Sequence, residues 1–435
     1  MSSVVDVVVL AAGKGARMRA PLPKVLHPVG GQPMLARIFQ TASSLLPRAI
    51  HIVHSPDFPC HTLDTHVLNI VPQWVLQPNA SGTGNALLCA LPSVLPEGRV
   101  LVLFGDVPLL KSTTLEKLLL ETPHDAIGIL TAHVPNPTGF GRIVRDAVEC
   151  VQRIVEERDA TESERNITEI NSGIMVFPTE MLLKFLPHLS ANNDQQEYYL
   201  TDIIELAISQ HIRIVTVFPS AIEEIQGVND QKQRAQVERI FQRWEAERLM
   251  QAGVMLMDPA RLDVRGTVQA APGVVIDVDV ILEGTIQLDA GVEIGAFCAL
   301  KNVHVHQGAI IRPYSHLENA IIYTGARVGP YARLRPGAVV HEGAHIGNFV
   351  EIKESHIGPH SKVGHLSYIG NATVGAEVNV GAGTITCNYD GGPKKHHTTI
   401  GDHAFIGSGC QLVAPITVGA GATVGKLLGT ANSMR

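Results

Sequence analysis

Between Ile276 and Val424 an apolar residue returns at every sixth position. Ile276, Leu282, Leu288, Ile294 and Leu300 form one unbroken run. Val305, Ile311 and Leu317 follow, and then Ile322, Val328, Leu334, Val340, Ile346 and Ile352. Three more runs are Ile357, Val363, Ile369; then Val374, Val380; then Ile400, Ile406, Leu412, Val418, Val424. A period of six fits neither an amphipathic helix nor a hairpin ladder. It predicts a parallel β-helix, in which each hexad is a short strand plus a turn and three hexads close one triangular coil. Gly follows the apolar residue at 295, 329, 347, 358, 364, 370, 381, 401 and 407, which predicts corners too tight for a Cβ. The step shortens to five at Leu300 to Val305, Leu317 to Ile322, Ile352 to Ile357 and Ile369 to Val374. Most of these steps lie three hexads apart, so one corner of the triangle is predicted to be tighter.

The N-terminal half is patterned differently. Val4 to Ala12 and Val100 to Phe104 are near-continuous apolar runs, as in parallel strands buried on both faces. Asp6 interrupts the first run and no basic segment precedes it, so it reads as a strand and not a signal peptide. Between the two halves, Val237, Ile240, Phe241 and Trp244 fall at i, i+3, i+4 and i+7 among Arg and Glu. The segment Gln231 to Gln251 is therefore predicted to be an amphipathic linker helix with its stripe docked on a domain. After Gly253 the β-helix begins loosely, and it enters strict register at Ile276.

Composition narrows the function classes. At 435 residues the chain has room for two or three domains with full cores. A net charge of −7 with 17% charged residues offers no basic field for nucleic acid. No stretch approaches transmembrane length. Cys60, Cys89, Cys150, Cys298, Cys387 and Cys410 form no CxxC pair, which points to reduced thiols in a cytoplasmic protein.

The candidate chemistry sits where the strands end. The run Val4–Leu10 leads into Ala11-Ala12-Gly13-Lys14-Gly15-Ala16-Arg17-Met18, a glycine-rich turn whose N–H groups can cradle a phosphate. It is neither a Walker A loop nor GxGxxG. Arg17 and Lys24 are two cations suited to a triphosphate, and surface solvation is the bland alternative for both. Gln77 precedes a second glycine turn, Ser81-Gly82-Thr83-Gly84. Phe104-Gly105-Asp106 ends the apolar strand where open parallel sheets bind ligands. Asp106 there suits Mg²⁺ together with substrate phosphates, with a helix N-cap as the alternative. Polar clusters around Gly141, Glu156 and Asn171 suit a sugar. In the solenoid the hexad count fails between Val380 and Ile400, and insertions at solenoid corners usually form the binding face. Lys353, His365 and Tyr368 lie off the inward register nearby, so His365 is predicted to face outward.

Taken in order, LAAGKGARM, LPKVLHPVGG, SGTGNA, FGDVPLL, PTGFGRI, EINSGI, EYYLTDII, GVND, RLRPGA, GNFVEIKES, GHLSYIG and GAGTITCNYDGG cover nearly the whole chain. This set resembles the bacterial bifunctional family of N-acetylglucosamine-1-phosphate uridylyltransferases / glucosamine-1-phosphate N-acetyltransferases. The resemblance implies a Rossmann-like α/β nucleotidyltransferase domain at 1–230, a linker helix at 231–252 and a left-handed parallel β-helix at 253–435 that assembles as a homotrimer. It implies acetyl transfer from acetyl-CoA to glucosamine 1-phosphate, then uridylyl transfer from UTP to N-acetylglucosamine 1-phosphate with Mg²⁺. By motif, Leu10, Ala11, Ala12, Gly13, Gln77, Gly82 and Thr83 correspond to uridine contacts, and Arg17 and Lys24 to phosphate contacts. Phe104 and Gly105 lie in the same nucleotide motif. Asp106 and Asn229 correspond to the metal ligands, and Gly141, Glu156 and Asn171 to sugar contacts. Arg335, Lys353, Tyr368 and Asn379 correspond to the amino-sugar phosphate site, His365 to the general base, and Asn388 and Tyr389 to loop residues that orient them. Ala382 and Ser408 correspond to acetyl-CoA contacts, with Lys426 beside them.

After Gly425 the family continues with further hexads and a basic arm that reaches acetyl-CoA on a neighbouring subunit. Here the sequence reads Lys426-Leu427-Leu428-Gly429 and ends at Arg435. That departure predicts weakened acetyl-CoA binding. The alternative it raises is a uridylyltransferase whose β-helix serves as a trimerisation scaffold.

Overall fold

The computed structural model describes residues 4–60 and 70–425. Two compact units, Met1–Ile240 and Phe241–Arg435, divide within a helix that runs from Gln231 to Gln251. No helix among the described residues is long and apolar enough to cross a membrane.

The first unit is built on a mixed, mostly parallel sheet. Its main path runs Ile214–Val217, Ile127–His133, Glu169–Pro178, Arg99–Phe104, Val5–Leu10, Ala49–His54, Gln73–Leu76. The two apolar runs form its centre: Val7, Val8, Val9, Val100, Leu101 and Val102 are fully buried. Val5–Leu10 pairs in parallel with Ala49–His54 on one side and Arg99–Phe104 on the other. The chain order therefore reverses beside the first strand, and such a switch point opens a crevice at the carboxyl ends of the strands. Leu10 and Phe104, the last residues of the two strands, face each other there in register. Glu169–Pro178 is the antiparallel member, pairing with both Arg99–Phe104 and Ile127–His133.

The second unit is a left-handed parallel β-helix. From Leu262 to Ile385 ladder partners stand 17 or 18 residues apart, as Glu293 with Ile310 and Arg327 with His345, so three hexads make one coil. The inward residue of every run from Ile276 to Val418 is buried. Each such Ile, Leu or Val contributes about 1.5–3 kcal/mol by leaving water. The tight corner is real: Asn302, Asn319, Glu354 and Asn371, one in each five-residue step, hold φ between 45° and 51°. Asn tolerates this left-handed conformation better than most residues. Its amides also form a ladder, Asn302 Nδ2 donating to Asn319 Oδ1 at 3.0 Å.

In the loose stretch before Ile276, Leu262–Ala270 already pairs along its whole length with Val280–Leu288 and buries Leu262, Val264 and Val268. Two expectations need correction. The helix buries Val237, Phe241, Gln242, Ala246 and Leu249, while Ile240 and Trp244 are only half-buried, so the packed face is rotated from the stripe read in sequence. The polar Gln242 accounts for part of that shift, since its side chain accepts from Val264 N–H and donates to Val264 O, both at 2.7 Å.

The second correction concerns the corner glycines, which are not equivalent. A Cβ at Gly347 would overlap the Gly364 carbonyl oxygen, whereas one at Gly364 would meet nothing within 4 Å. Gly347→Ala is therefore expected to destabilise the β-helix by about 1–3 kcal/mol, the usual cost of overpacking. Gly364→Ala should leave the thermal midpoint unchanged. Equal midpoints for the two variants in thermal denaturation would refute the crowding argument.

Candidate active sites

The switch-point crevice of the first unit is a cavity of about 430 Å³. Leu10, Ala11, Ala12, Gly13, Lys24, Gln77, Gly82, Thr83, Phe104 and Asp106 all line it. Gln77 is buried and its amide donates to Gly82 O at 3.2 Å and Asn85 Oδ1 at 2.9 Å, which ties the strand end to the second glycine turn. Gly82 precedes the helix Thr83–Ala90 with φ of 102°, and a Cβ there would stand 2.6 Å from Tyr198 O. The turn is sealed by a segment with no assigned role in the sequence: Tyr198 N–H donates to Ser81 O at 2.9 Å, and Gly84 N–H to Tyr198 O at 2.8 Å. Glu197 thereby joins the cavity wall.

A second cavity of about 270 Å³ shares Thr83, Phe104 and Asp106 with the first and adds Gly141, Glu156, Asn171 and Asn229. The three polar clusters thus lie together beside the nucleotide-type crevice. Burial raises the Glu156 carboxyl above its ordinary range, although Thr201 Oγ1 donates to it at 3.1 Å. Asp202, next in the chain, is pushed up to about 6 by burial, reinforced by Glu205 and Asp159. Arg142 is buried and pairs with Glu157 at 2.6 Å. Arg17 lines a separate cavity of about 410 Å³ with Glu156, Glu157 and Arg158, apart from the Lys24 crevice.

Three distant segments converge at Asp106. Lys24 Nζ donates to Asp106 Oδ2 in a short ion pair and to Asn229 Oδ1 at 3.1 Å. The loop carrying Asn229 is fixed to the same residue, Val228 N–H donating to Asp106 O at 2.9 Å, and Asn229 N–H donates to Gln233 Oε1 at 2.7 Å. Two hard oxygen donors therefore face one cation, a donor set that suits Mg²⁺. The N-cap alternative fails: the next helix is Ser112–Glu121, and Lys111 occupies its cap position.

In the second unit His365 is exposed, as its off-register position implies. Its Nδ1 lies 2.5 Å from Asn348 Oδ1, and the two residues are ladder partners one coil apart. The amide oxygen can only accept, so Nδ1 carries the proton and Nε2 keeps its lone pair. The sequence reading missed Asn348, although the one-coil interval back from His365 was there to be counted. The same corner continues upward: Gly383 N–H donates to His365 O at 3.2 Å, and Gly409 N–H to Ala382 O at 2.8 Å. Ala382 and Ser408 thus follow His365 in one column. Asn379 stands on the His365 face too, paired with Lys362 and Phe405.

The neighbouring face carries the other group. Arg335 Nη1 donates to Glu351 Oε1 at 2.9 Å, and that carboxylate raises the guanidinium pKa further. Glu351 pairs in register with Tyr368. Asn388 is buried, and its amide donates to Tyr368 Oη at 3.3 Å and Asn371 Oδ1 at 2.6 Å. Lys353 lies half-buried beside Glu354, 3.7 Å away. The insertion is shorter than the sequence implied, because Ile385–Cys387 continues the coil and only residues 388–397 project. Within the projection Asp390 accepts from His396 Nε2 at 2.8 Å, and Lys395 Nζ sits 3.4 Å over the exposed Tyr389 ring. Lys426 lies outside the described residues.

Known proteins are similar to this chain along most of its length. Residues 7–168 match the MobA-like NTP transferase domain. A relative from Alkalilimnicola ehrlichii named "Bifunctional protein GlmU" is 48% identical over 425 residues, 98% of this chain and 91% of its own. Relatives of the same name from Acinetobacter baumannii strain AYE and Cupriavidus pinatubonensis are 49% and 48% identical over 96% and 97% of this chain, and 91% and 92% of their own. With the nucleotidyltransferase crevice, the β-helix and this similarity along nearly the entire chain, the protein belongs to the bifunctional GlmU family.

Proposed function

We propose that the chain makes UDP-N-acetylglucosamine in two steps, each in its own unit. The β-helix transfers acetyl from acetyl-CoA to the amine of glucosamine 1-phosphate. The N-terminal unit then transfers uridylyl from UTP to N-acetylglucosamine 1-phosphate and releases pyrophosphate. The observation that carries the second step is the convergence of Lys24, Asp106 and Asn229 at the end of the switch-point crevice.

In that crevice Leu10 to Gly13, Gln77, Gly82 and Thr83 hold the uridine, with Phe104 in the wall. Gly141, Glu156 and Asn171 hold the sugar in the adjoining cavity, so the sugar phosphate meets the nucleotide beside Asp106. The attacking phosphate is already anionic, so no side-chain nucleophile is needed. Lys24 stabilises the charge on the transferring phosphoryl group, whereas Arg17, in the separate cavity with Glu156 and Glu157, stands apart from that contact. Asp106 and Asn229 would hold Mg²⁺, which would neutralise phosphate charge when bound.

In the β-helix His365 takes the proton from the amine as it attacks the thioester, using the Nε2 lone pair that Asn348 leaves free. Arg335, Lys353, Tyr368 and Asn379 receive the sugar phosphate. Asn388 and Tyr389 shape the projecting loop, and Ala382 and Ser408 meet acetyl-CoA. Three copies assemble through the β-helices, and unpaired thiols at all six cysteines support a cytoplasmic location.

The decisive experiment assays the half-reactions separately: pyrophosphate release from UTP with N-acetylglucosamine 1-phosphate, and free CoA from acetyl-CoA with glucosamine 1-phosphate. Both are expected. Pyrophosphate without CoA release would reduce the β-helix to a scaffold, and neither product would overturn the assignment.

A further inference from the structure

Among the described residues, one group of His, Cys, Asp and Glu side chains comes close enough to share an ion: Asp289, His304 and His306. It lies in the β-helix, away from every residue given a role above. Its three candidate ligand atoms lie within 4.8 Å of one another. His304 Nε2 is 3.3 Å from Asp289 Oδ1, and His306 Nδ1 is 3.1 Å from Asp289 Oδ2. A zinc ion bound at about 2.0–2.2 Å by two imidazoles and a carboxylate requires donor separations of this order.

The solenoid itself creates the arrangement. His304 and His306 are two residues apart at the end of the strand Ala299–Val305, so both point to the side opposite the buried Val305. Asp289 follows the strand Val280–Leu288 one coil earlier, and its N–H donates to Val305 O at 2.9 Å. His306 N–H donates to Ile322 O at 2.7 Å, so ladder bonds on both sides fix the ligand backbones. The His306 ring is also clamped: Tyr323 stacks on it at 4.8 Å, and His341 stacks on Tyr323 at 5.1 Å. Such preorganisation is what a metal site needs. The side chains remain 26–43% exposed, so an ion and its remaining water ligand have an entry path.

We propose that Asp289, His304 and His306 form a binding site for a divalent transition-metal ion, Zn²⁺ above all, that pins two adjacent coils together. Imidazole with carboxylate selects such ions over Mg²⁺ or Ca²⁺. Three protein ligands leave a fourth position for water. Each ring nitrogen now donates its proton to Asp289. In a neutral imidazole that proton moves to the other ring nitrogen through solvent, which frees the lone pair for the metal without changing the net charge.

The test uses the full chain, stripped with EDTA, dialysed, and titrated with Zn²⁺ alone and with Co²⁺ alone. Wild type is expected to hold one Zn²⁺ per chain more than Asp289→Asn or His304→Gln, or to bind it at least about 100-fold tighter, the upper end of what losing an outer-shell partner costs. Co²⁺ should give visible ligand-field bands that both variants lose. Zn²⁺ should raise the thermal midpoint of wild type only, as a ligand selective for the folded state must. Any metal at Asp106 and Asn229 or at the thiols is common to all three proteins and cancels in the comparison. Both transferase rates should be the same throughout. His306→Gln replaces either variant if circular dichroism shows it unfolded. Equal Zn²⁺ stoichiometry and affinity in folded wild type and variants would overturn the proposal.

Discussion

Asp106→Ala is expected to lower uridylyl transfer by roughly 10²–10³-fold or more, the cost of removing a preorganised group that serves transition-state charge, while acetyl transfer keeps its full rate. Asp106 follows the central strand Arg99–Phe104 by two residues and lines the crevice where Leu10 and Phe104 pair. It also gathers the site, because its backbone carbonyl anchors Val228 and so sets Asn229. Its carboxylate is the counterion of Lys24, whose side chain is only 12% exposed. Alanine therefore removes one cation ligand and leaves an ammonium half out of water without its partner. Asn at 106 separates the two effects, keeping the shape and an oxygen while removing the charge. It should fold with a wild-type thermal midpoint, require more Mg²⁺ for half-maximal rate, and remain slow at saturation. Wild-type uridylyl transfer in folded Asp106→Asn would show that the carboxylate charge has no part in the reaction.

The β-helix was legible because a solenoid writes its geometry into the sequence as a period, and the period survives wherever the inward residue is aliphatic. It failed where the inward residue is polar. Thr386 occupies the hexad position after Val380 and is fully buried, its hydroxyl bonded to Gly370 N–H at 2.7 Å and Gly370 O at 3.0 Å. Because it is polar, the count stops there and the insertion looks longer than residues 388–397.

In the N-terminal unit the strands and glycine turns could be read locally, but the site could not. Lys24, Asp106 and Asn229 meet only because the sheet order brings three loops to one edge, and nothing in their local sequence pairs them. Arg17 illustrates the converse. Seven residues from Lys24 in sequence, it lines another cavity with Glu156 and Glu157. Asn348 was hidden for want of a rule, since a ladder partner's identity matters only once the outward face is known to carry His365.

That partnership makes His365→Ala the second large expected effect: acetyl transfer should fall about 10²–10⁴-fold, the usual contribution of a positioned general base, with uridylyl transfer unchanged. The position supports this size of effect without a structural cost. His365 is exposed at the end of its strand, and Gly364 before it faces open space, so truncation opens no core cavity and the thermal midpoint should hold. Asn348 provides the finer test. Its Oδ1 receives the Nδ1 proton and thereby presents Nε2 to the amine. Asn348→Ala should therefore lower kcat more than it raises the KM for glucosamine 1-phosphate, because the base remains but loses its fixed orientation and tautomer. Asn348→Asp, which still accepts the proton, should recover much of the rate. A merely structural Asn348 would show the opposite pattern, with the midpoint falling and kcat intact. If folded His365→Ala protein acetylates at the wild-type rate, the base is another residue and the column from Asn348 to Ser408 loses its proposed role.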